Sequence, residues 1–151
     1  MAYTTIPKST VQFAPEIYTG NGSNKTISTL NFQPDWVWIK NRATTDMNVL
    51  FDSLRGATKR IASDSTAAEA TEAQDLTAFN TNGFTVSTSG AVNSNSVSYA
   101  SWNWKAGTAV SGATTGSGTA KTYTGSVNTT SGFSIVSYIG NGTAGHTIPH
   151  N

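Results

Sequence analysis

The chain has 151 residues, a formal net charge of +1 and only 11% charged side chains, which suits one domain or slightly more. So small a charge argues against nucleic-acid binding as its main activity. The absence of cysteine excludes disulfides, thiolate metal sites and a cysteine nucleophile. No apolar run reaches membrane-spanning length, and the first residues lack the apolar core of a secretion signal. We therefore expect a protein made in a cytoplasm, without membrane insertion or export by that route.

Serine, threonine, asparagine and glycine dominate the rest of the composition. Disorder is disfavoured because 10% of the residues are aromatic, four of them tryptophan. Polar loops combined with aromatic and β-branched runs are typical of an all-β fold. The fold class predicted here is an antiparallel β-sandwich.

The first strand is predicted at residues 11–18, where Pro15 favours an edge position. Residues 19–24 contain an Asn-Gly pair, which predicts a tight hairpin turn with positive φ angles. A second strand is expected at residues 26–32.

Residues 34–42 form the densest apolar run of the chain, and they predict a central strand. Side chains alternate along a strand, so Trp36 and Trp38 share one face while Val37 and Ile39 share the other. Because both faces are apolar, we expect both to be covered.

Further strands are predicted at residues 48–52, 84–87 and 97–105. Residues 66–74 have high helix propensity but almost no large apolar side chain, so they are expected to form a surface loop with at most one helical turn.

Residues 106–130 are rich in Gly, Ser and Thr, a linker composition, although a short strand is expected at 121–124. Another strand is predicted at residues 132–139.

The pattern Phe13-x4-Tyr18-Thr-Gly-Asn-Gly22 recurs as Phe133-x4-Tyr138-Ile-Gly-Asn-Gly142, 120 residues later. The chain is therefore divided into an N-terminal arm (1–10), a β-sandwich domain (11–105), a linker (106–130) and the start of a second, incomplete sandwich repeat (131–151). Two strands bury too little surface to close a sandwich. Either the natural chain continues past Asn151, which we favour, or these strands complete another molecule's sheet.

Several runs together resemble a domain found in structural proteins of tailed bacteriophages, particularly marine ones. They are Tyr-Thr-Gly-Asn-Gly (18–22), Phe-Gln-Pro-Asp-Trp-Val-Trp-Ile-Lys-Asn-Arg (32–42), Leu-Phe-Asp-Ser-Leu-Arg-Gly (50–56), Phe-x4-Gly-Phe-Thr-Val (79–86) and Tyr-Ala-Ser-Trp-Asn-Trp-Lys-Ala (99–106). Residues 132–150 resemble the opening of a further such domain. The resemblance implies a jelly-roll, concanavalin-like sandwich, and it brings no catalytic motif.

The role implied by the resemblance is non-enzymatic: an appendage or fibre component of a virion, whose N-terminal part attaches to capsid or tail. The expected partners are other virion proteins and further copies of the chain, trimeric if it forms a fibre. The candidate docking residues of the arm are Tyr3, Thr4, Ile6 and Lys8.

Two alternatives stay open. A small decoration protein interlocking on a capsid is one of them, and a carbohydrate-binding module recognising host-surface glycans is the other. Glycan or partner contacts would involve Asn21, Trp36, Trp102 and Asn141, since exposed aromatic rings stack on sugars. Core packing explains tryptophans in strong strands better, and turn geometry already explains an Asn before Gly.

Enzymatic chemistry has weak support in the sequence. Asp35 and Asp52 lie at strand ends and are the candidates for a glycosidase pair, but a turn bond at Asp35 and an ion pair of Asp52 with Arg55 are simpler. His146 and His150 would lie about 13 Å apart in an extended strand, too far to share a metal. No cofactor is expected.

Overall fold

The computed structural model describes residues 9–150, which form an almost entirely β structure with antiparallel pairing. A 3₁₀ turn (Ser9–Val11) precedes the first strand, and the one-turn helix α1 (Gly90–Asn93) precedes the ninth. In chain order the strands are β1 (Phe13–Thr19), β2 (Lys25–Ile27), β3 (Trp36–Asn41), β4 (Val49–Asp52), β5 (Lys59–Ala62), β6 (Ala70–Thr71), β7 (Leu76–Asn80), β8 (Gly83–Val86), β9 (Ser98–Trp104), β10 (Thr108–Ala113), β11 (Thr115–Gly116), β12 (Thr122–Asn128), β13 (Phe133–Tyr138) and β14 (His146–Thr147).

Two sheets enclose the main core. The larger has six strands in the order β1-β9-β3-β4-β5-β6, and the smaller has three in the order β2-β8-β7. The buried apolar side chains come from both sheets, from α1 and from the segment between β2 and β3: Tyr18, Ile27, Leu30, Val37, Ile39, Val49, Phe51, Leu76, Phe84, Val86, Val92 and Tyr99. The prediction of an all-β architecture of antiparallel sheets is confirmed.

Strand β3 is central, as predicted, with β9 on one side and β4 on the other. Its alternation is also as predicted, because Val37 and Ile39 are fully buried while Trp36 and Trp38 lie on the opposite face. The expectation that both faces are covered is met on the Val37 side and only in part on the other side, where Trp36 and Trp38 are partly buried and the Trp38 Nε1 atom is buried. The three-stranded sheet covers only the Val37 side, which leaves the tryptophan side half-buried.

The turn at residues 19–24 is not a hairpin. Strand β1 pairs with β9 at the edge of the large sheet, where Pro15 is tolerated, whereas β2 pairs with β8 in the small sheet. Gly22 has a φ of 67°, but the non-glycine residues with positive φ within 9–150 are Thr58 and Ser96, so Asn21 lacks the conformation of a two-residue hairpin turn. The turn instead carries the chain from one sheet to the other.

Two stretches contain more strand than their composition suggests. Within residues 66–74 there is no helical turn, and Ala70–Thr71 pairs with β5 as strand β6. Residues 106–130 hold β10, β11 and most of a second sheet system, in which β10, β12 and β13 form one three-stranded sheet and β11 pairs with β14. Strand β12 includes most of the strand expected at 121–124 and buries Tyr123 and Val127, whereas β10 is mostly exposed and is held by backbone pairing.

The sequence repeat has the same local structure in both copies. In the first turn Asn21 Oδ1 accepts a hydrogen bond from Ser23 N at 3.0 Å, and in the second Asn141 Oδ1 accepts one from Thr143 N at 2.9 Å. The following glycines, Gly22 and Gly142, have φ angles of 67° and 73°. Each copy is thus a strand followed by the same asparagine-stabilised turn.

Candidate functional site

The outer face of the six-stranded sheet carries all four tryptophans of the chain. Trp36 lies opposite Trp104 and Trp38 lies opposite Trp102, so the four side chains form two adjacent cross-strand pairs on β3 and β9. Phe13, Pro15 and Ile17 of β1 continue the same face, because Phe13 pairs with Trp104 and Pro15 with Trp102. We call this surface, formed by Phe13, Pro15, Ile17, Trp36, Trp38, Trp102 and Trp104, the tryptophan face.

The rings of the tryptophan face pack side by side. The centroids of Trp38 and Trp102 are 5.6 Å apart at an interplanar angle of 53°, and those of Phe13 and Trp104 are 4.7 Å apart at 45°. Phe133 of β13 stacks on Trp104 at 5.9 Å and 19°, which ties the C-terminal sheet to one end of the face. The other end is open, since Ile17 is 64% exposed. An apolar surface of this kind on a folded domain is typical of an interaction site.

Charged groups at the borders of the tryptophan face are already engaged. Lys40 lies on the same face and its Nζ donates to the carbonyl of Asp46. Asp52, opposite Trp36 in the register, is buried and accepts hydrogen bonds from Arg55 N at 2.8 Å and Nε at 2.5 Å. Asp52 is thus neutralised by Arg55, whereas Lys40 keeps its charge at the border, and the centre of the tryptophan face consists of uncharged rings.

Asn21 lies far from the tryptophan pairs. It follows the C-terminal end of β1, whereas Trp36 and Trp104 align with Phe13 at the opposite end of that strand. Asn21 is held by Asn93 of α1: its N–H donates to Asn93 Oδ1 at 3.0 Å, and its Oδ1 accepts from Asn93 Nδ2 at 3.1 Å. The structure therefore does not bring Asn21 together with Trp36 and Trp102.

Asn141 occupies the equivalent turn of the second copy but is held differently. Its Nδ2 donates to the carbonyls of Ser117 and Thr119, both at 3.0 Å, and the residue is partly exposed. These bonds anchor the turn to the loop before β12. Asn141 thus belongs to a third place on the molecule, separate from the other candidate residues.

Asp35 and Asp52 are buried and act as ties between strand ends. Asp35 Oδ1 accepts from Ser53 Oγ at 2.7 Å, and its Oδ2 accepts from Ala106 N at 2.8 Å. Asp52 forms the predicted ion pair with Arg55, at 2.5 Å from Nε. An open cleft of about 330 Å³ adjoins Asp35, but both carboxylate oxygens already have donors. The hydrogen bonds explain both residues without a catalytic role.

The two histidines do not converge. His146 Nε2 contacts Thr114 Oγ1 at 2.5 Å, which links β14 to the end of β10, and His150 is exposed. Among residues 9–150 no group of three or more His, Asp or Glu side chains is arranged to hold a metal ion.

One buried acid has a perturbed pKa. Burial raises the pKa of Asp75, although Arg60 Nη1 at 3.0 Å and a hydrogen bond involving Ser89 act in the opposite direction. Glu72 also pairs with Arg60, at 2.9 Å from Nη2. Arg60 thereby joins β5 to the segment that enters β7, so the perturbed carboxyl serves the fold.

Burial also raises the pKa of Tyr18 well above its ordinary value, with a further contribution from Tyr99. The Tyr18 hydroxyl donates to the carbonyl of Val92 at 2.7 Å, and its ring stacks on Tyr99 at 5.3 Å. Tyr18 is therefore a neutral core residue at physiological pH.

The arm residues Tyr3, Thr4, Ile6 and Lys8 lie outside the described part of the chain.

Sequence reasoning missed Asn93, the residue that holds the first turn. Its only local signal is Ser89, whose side chain caps the short helix by accepting from Ala91 N. Within the described residues, no helix is long and apolar enough to cross a membrane.

Comparison with known proteins gives one match. The family described as a domain of unknown function (DUF7483) matches residues 8–151. No curated protein and no solved structure matches the chain.

Proposed function

The chain belongs to the DUF7483 family of domains of unknown function, and we propose that it is a non-enzymatic structural module of a tailed-phage virion. In this proposal the module is a jelly-roll, concanavalin-like sandwich within an appendage or fibre protein. Its N-terminal arm, residues 1–10, attaches to capsid or tail through Tyr3, Thr4, Ile6 and Lys8.

The single observation that carries the proposal is the repeated strand and turn. The same asparagine-stabilised turn follows β1 and β13, and the two copies lie 120 residues apart. Serial repetition of one unit suits an extended protein that projects from a particle. The resemblance of residues 18–22, 32–42 and 99–106 to phage structural domains points the same way. Asp35 and Asp52 add support, since their oxygens are occupied by structural hydrogen bonds.

The test uses phage particles purified from the native source. Peptides of the chain should appear in a tryptic digest of washed particles, and antibodies against it should label one location in electron micrographs. Their absence from intact particles would refute the virion role. Copy number separates an appendage from a decoration protein, because the latter would approach the abundance of the major capsid protein.

The arm is tested by replacing residues 1–10 with a Gly-Ser segment of equal length. This variant should fold but fail to join particles, whereas a chain carrying Glu69→Ala, a change in the exposed loop, should join them normally. Incorporation of the Gly-Ser variant would contradict the docking role of the arm and leave the virion role intact.

A second candidate function, glycan binding, is favoured by the position of the tryptophans. Half-buried rings on an outer sheet face are able to stack on sugar rings, which tryptophans confined to a core cannot do. The rings of Trp36 and Trp102 are uncharged, which suits stacking on a neutral glycan.

Titration calorimetry with neutral oligosaccharides tests this function. Trp102→Ala should abolish saturable binding. Tyr138→Ala, which removes a 50% exposed aromatic ring from a different sheet, should leave binding unchanged. Equal loss with both variants, or no binding by the unmodified protein, would exclude the tryptophan face as a glycan site.

A further inference from the structure

Strand β13 is the equivalent of β1, but its surroundings differ. Strand β1 is paired along its whole length with β9, from Phe13↔Trp104 to Thr19↔Ser98. In the second copy β13 pairs with β12, and the part of the chain that the structure describes places no second strand beside it. Two large apolar side chains are exposed there, Tyr138 at 50% and Ile139 at 65%.

The hydrogen bonds identify which edge of β13 is open. Lys121, just before β12, accepts a bond from Thr114 N at 2.7 Å, so its carbonyl faces β10. Backbone groups alternate between the two edges of a strand, so the even-numbered residues of β12 face β13. Their register partners Phe133, Ile135 and Ser137 face β12 in return. The N–H and C=O groups of Ser134, Val136 and Tyr138 therefore point away from β12, and we call these residues the open edge.

The corresponding edge of β1 is the one that β9 occupies. Gly20 N donates to Val97 O and Lys105 N donates to Gln12 O, both at 2.8 Å, so the even-numbered residues of β1 face β9. Ala14, Glu16 and Tyr18 are these residues, and they match the open edge at the repeat offset. The unpaired edge of the second copy is thus the edge that carries β9 in the first.

The first copy also shows what a closing strand contributes. Tyr18 stacks on Tyr99 of β9 with an interplanar angle of 15° and is buried, whereas its counterpart Tyr138 is half-exposed. An unpaired strand edge beside an exposed aromatic ring is a site for strand addition.

We propose that the open edge of β13 binds an extended strand with the sequence pattern of β9, antiparallel and in the register that β9 adopts on β1. The occupant is the closing strand of a further module of this kind. This inference is independent of the virion role and of glycan binding.

A synthetic fluorescent peptide of residues 97–105 tests the proposal against the full 151-residue protein. Fluorescence anisotropy should rise saturably with protein concentration.

Two N-methylated peptides form a matched pair. In β9, Ser98 and Trp104 face β3, because their carbonyls accept from Arg42 N and Asp35 N, so odd-numbered residues face β1. Methylation of the Ser101 nitrogen should weaken binding at least about tenfold through the lost hydrogen bond and the added bulk. Methylation of the Trp102 nitrogen should change it little.

A cross-link locates the peptide and fixes its register. The chain has no cysteine, so Ser137→Cys introduces a single thiol. Ile17 pairs with Ala100, which makes Ser137 the expected partner of Ala100 in the peptide. A peptide with Ala100→Cys should form a disulfide, whereas one with Trp104→Cys, four residues away, should not, since bridged Cα atoms lie within about 7 Å.

Each contrary outcome overturns the proposal. The first is that the peptide shows no saturable binding up to its solubility limit. The second is that both methylated peptides lose affinity equally. The third is that the Ala100→Cys and Trp104→Cys peptides form the disulfide equally well. Self-association of the protein through β13 that the peptide does not reverse would make a second copy the occupant instead.

Discussion

Asn93 provides the sharpest test of how the first turn is held. Its side chain is fully buried, and its Nδ2 lies within hydrogen-bond distance of Asn21 Oδ1 at 3.1 Å, of the Ser87 carbonyl at 2.6 Å and of the Ser23 carbonyl. Its Oδ1 accepts from Asn21 N at 3.0 Å. Asn93→Asp keeps the shape and this acceptor but replaces the donor with a second oxygen that faces other oxygens.

The expected destabilisation is about 3–5 kcal/mol at pH 7. A carboxylate buried against carbonyl oxygens without a cation takes up a proton, and keeping it neutral three units above its usual pKa of about 3.9 costs about 4 kcal/mol. The protonated carboxyl has one hydrogen where the amide has two, so one hydrogen bond is lost, which lowers the unfolding free energy by about 1 kcal/mol more. The introduced carboxyl has a folded pKa above its unfolded one. Relative to wild type, the variant is therefore most stable below about pH 3.9 and loses about 1.4 kcal/mol per unit as pH rises towards the folded pKa.

Urea unfolding followed by tryptophan fluorescence, at pH 4.5 and pH 7, measures this difference. Asn141→Asp is the matched control, because Asn141 Nδ2 also donates to two carbonyls, at 3.0 Å each, but on the surface. Its expected cost is below about 1 kcal/mol. Equal losses at the two positions, or a loss at Asn93 that does not depend on pH, would refute the view that burial sets the magnitude.

Three further changes test the packing and the electrostatics of the first domain. Gly20→Ala places a Cβ 2.2 Å from the carbonyl oxygen of Ser94 and should lower the unfolding free energy by about 1–3 kcal/mol, whereas Gly140→Ala, with nothing within 4 Å, should change it by less than about 0.5 kcal/mol in urea titrations. Phe51→Ala empties a fully buried site and should cost about 3–5 kcal/mol by the same measurement, with a cost below 1 kcal/mol contradicting its place in the core. Asp75→Asn tests the pH dependence of stability. Because burial raises the folded pKa of Asp75, wild type should lose stability relative to the variant as pH rises from about 3.9 through that pKa. A gain in stability over this range would mean that the attraction of Arg60 for the carboxylate outweighs the effect of burial.

The sequence by itself determined the local pattern of the strands. Alternation of Trp36 and Trp38 with Val37 and Ile39 follows from strand geometry alone, and so does the edge position of a strand that contains Pro15. The repeated asparagine turn was also predictable, because an Asn-Gly pair stabilises a turn through its own side chain.

Only the tertiary structure decided which side of β3 is the core. Both faces of that strand are apolar, so periodicity cannot rank them, and the second sheet covers the valine side and leaves the tryptophans outside. The same holds for the turn at residues 19–24, whose direction depends on Asn93, 72 residues from Asn21. In the polar segment 106–130 only the first part of β12 was predicted. Strand β10 escaped prediction because its side chains are mostly exposed and backbone pairing with β12 holds it. Contacts between segments distant in the chain leave no local periodicity, and for that reason the tryptophan face and the open edge emerged only from the fold.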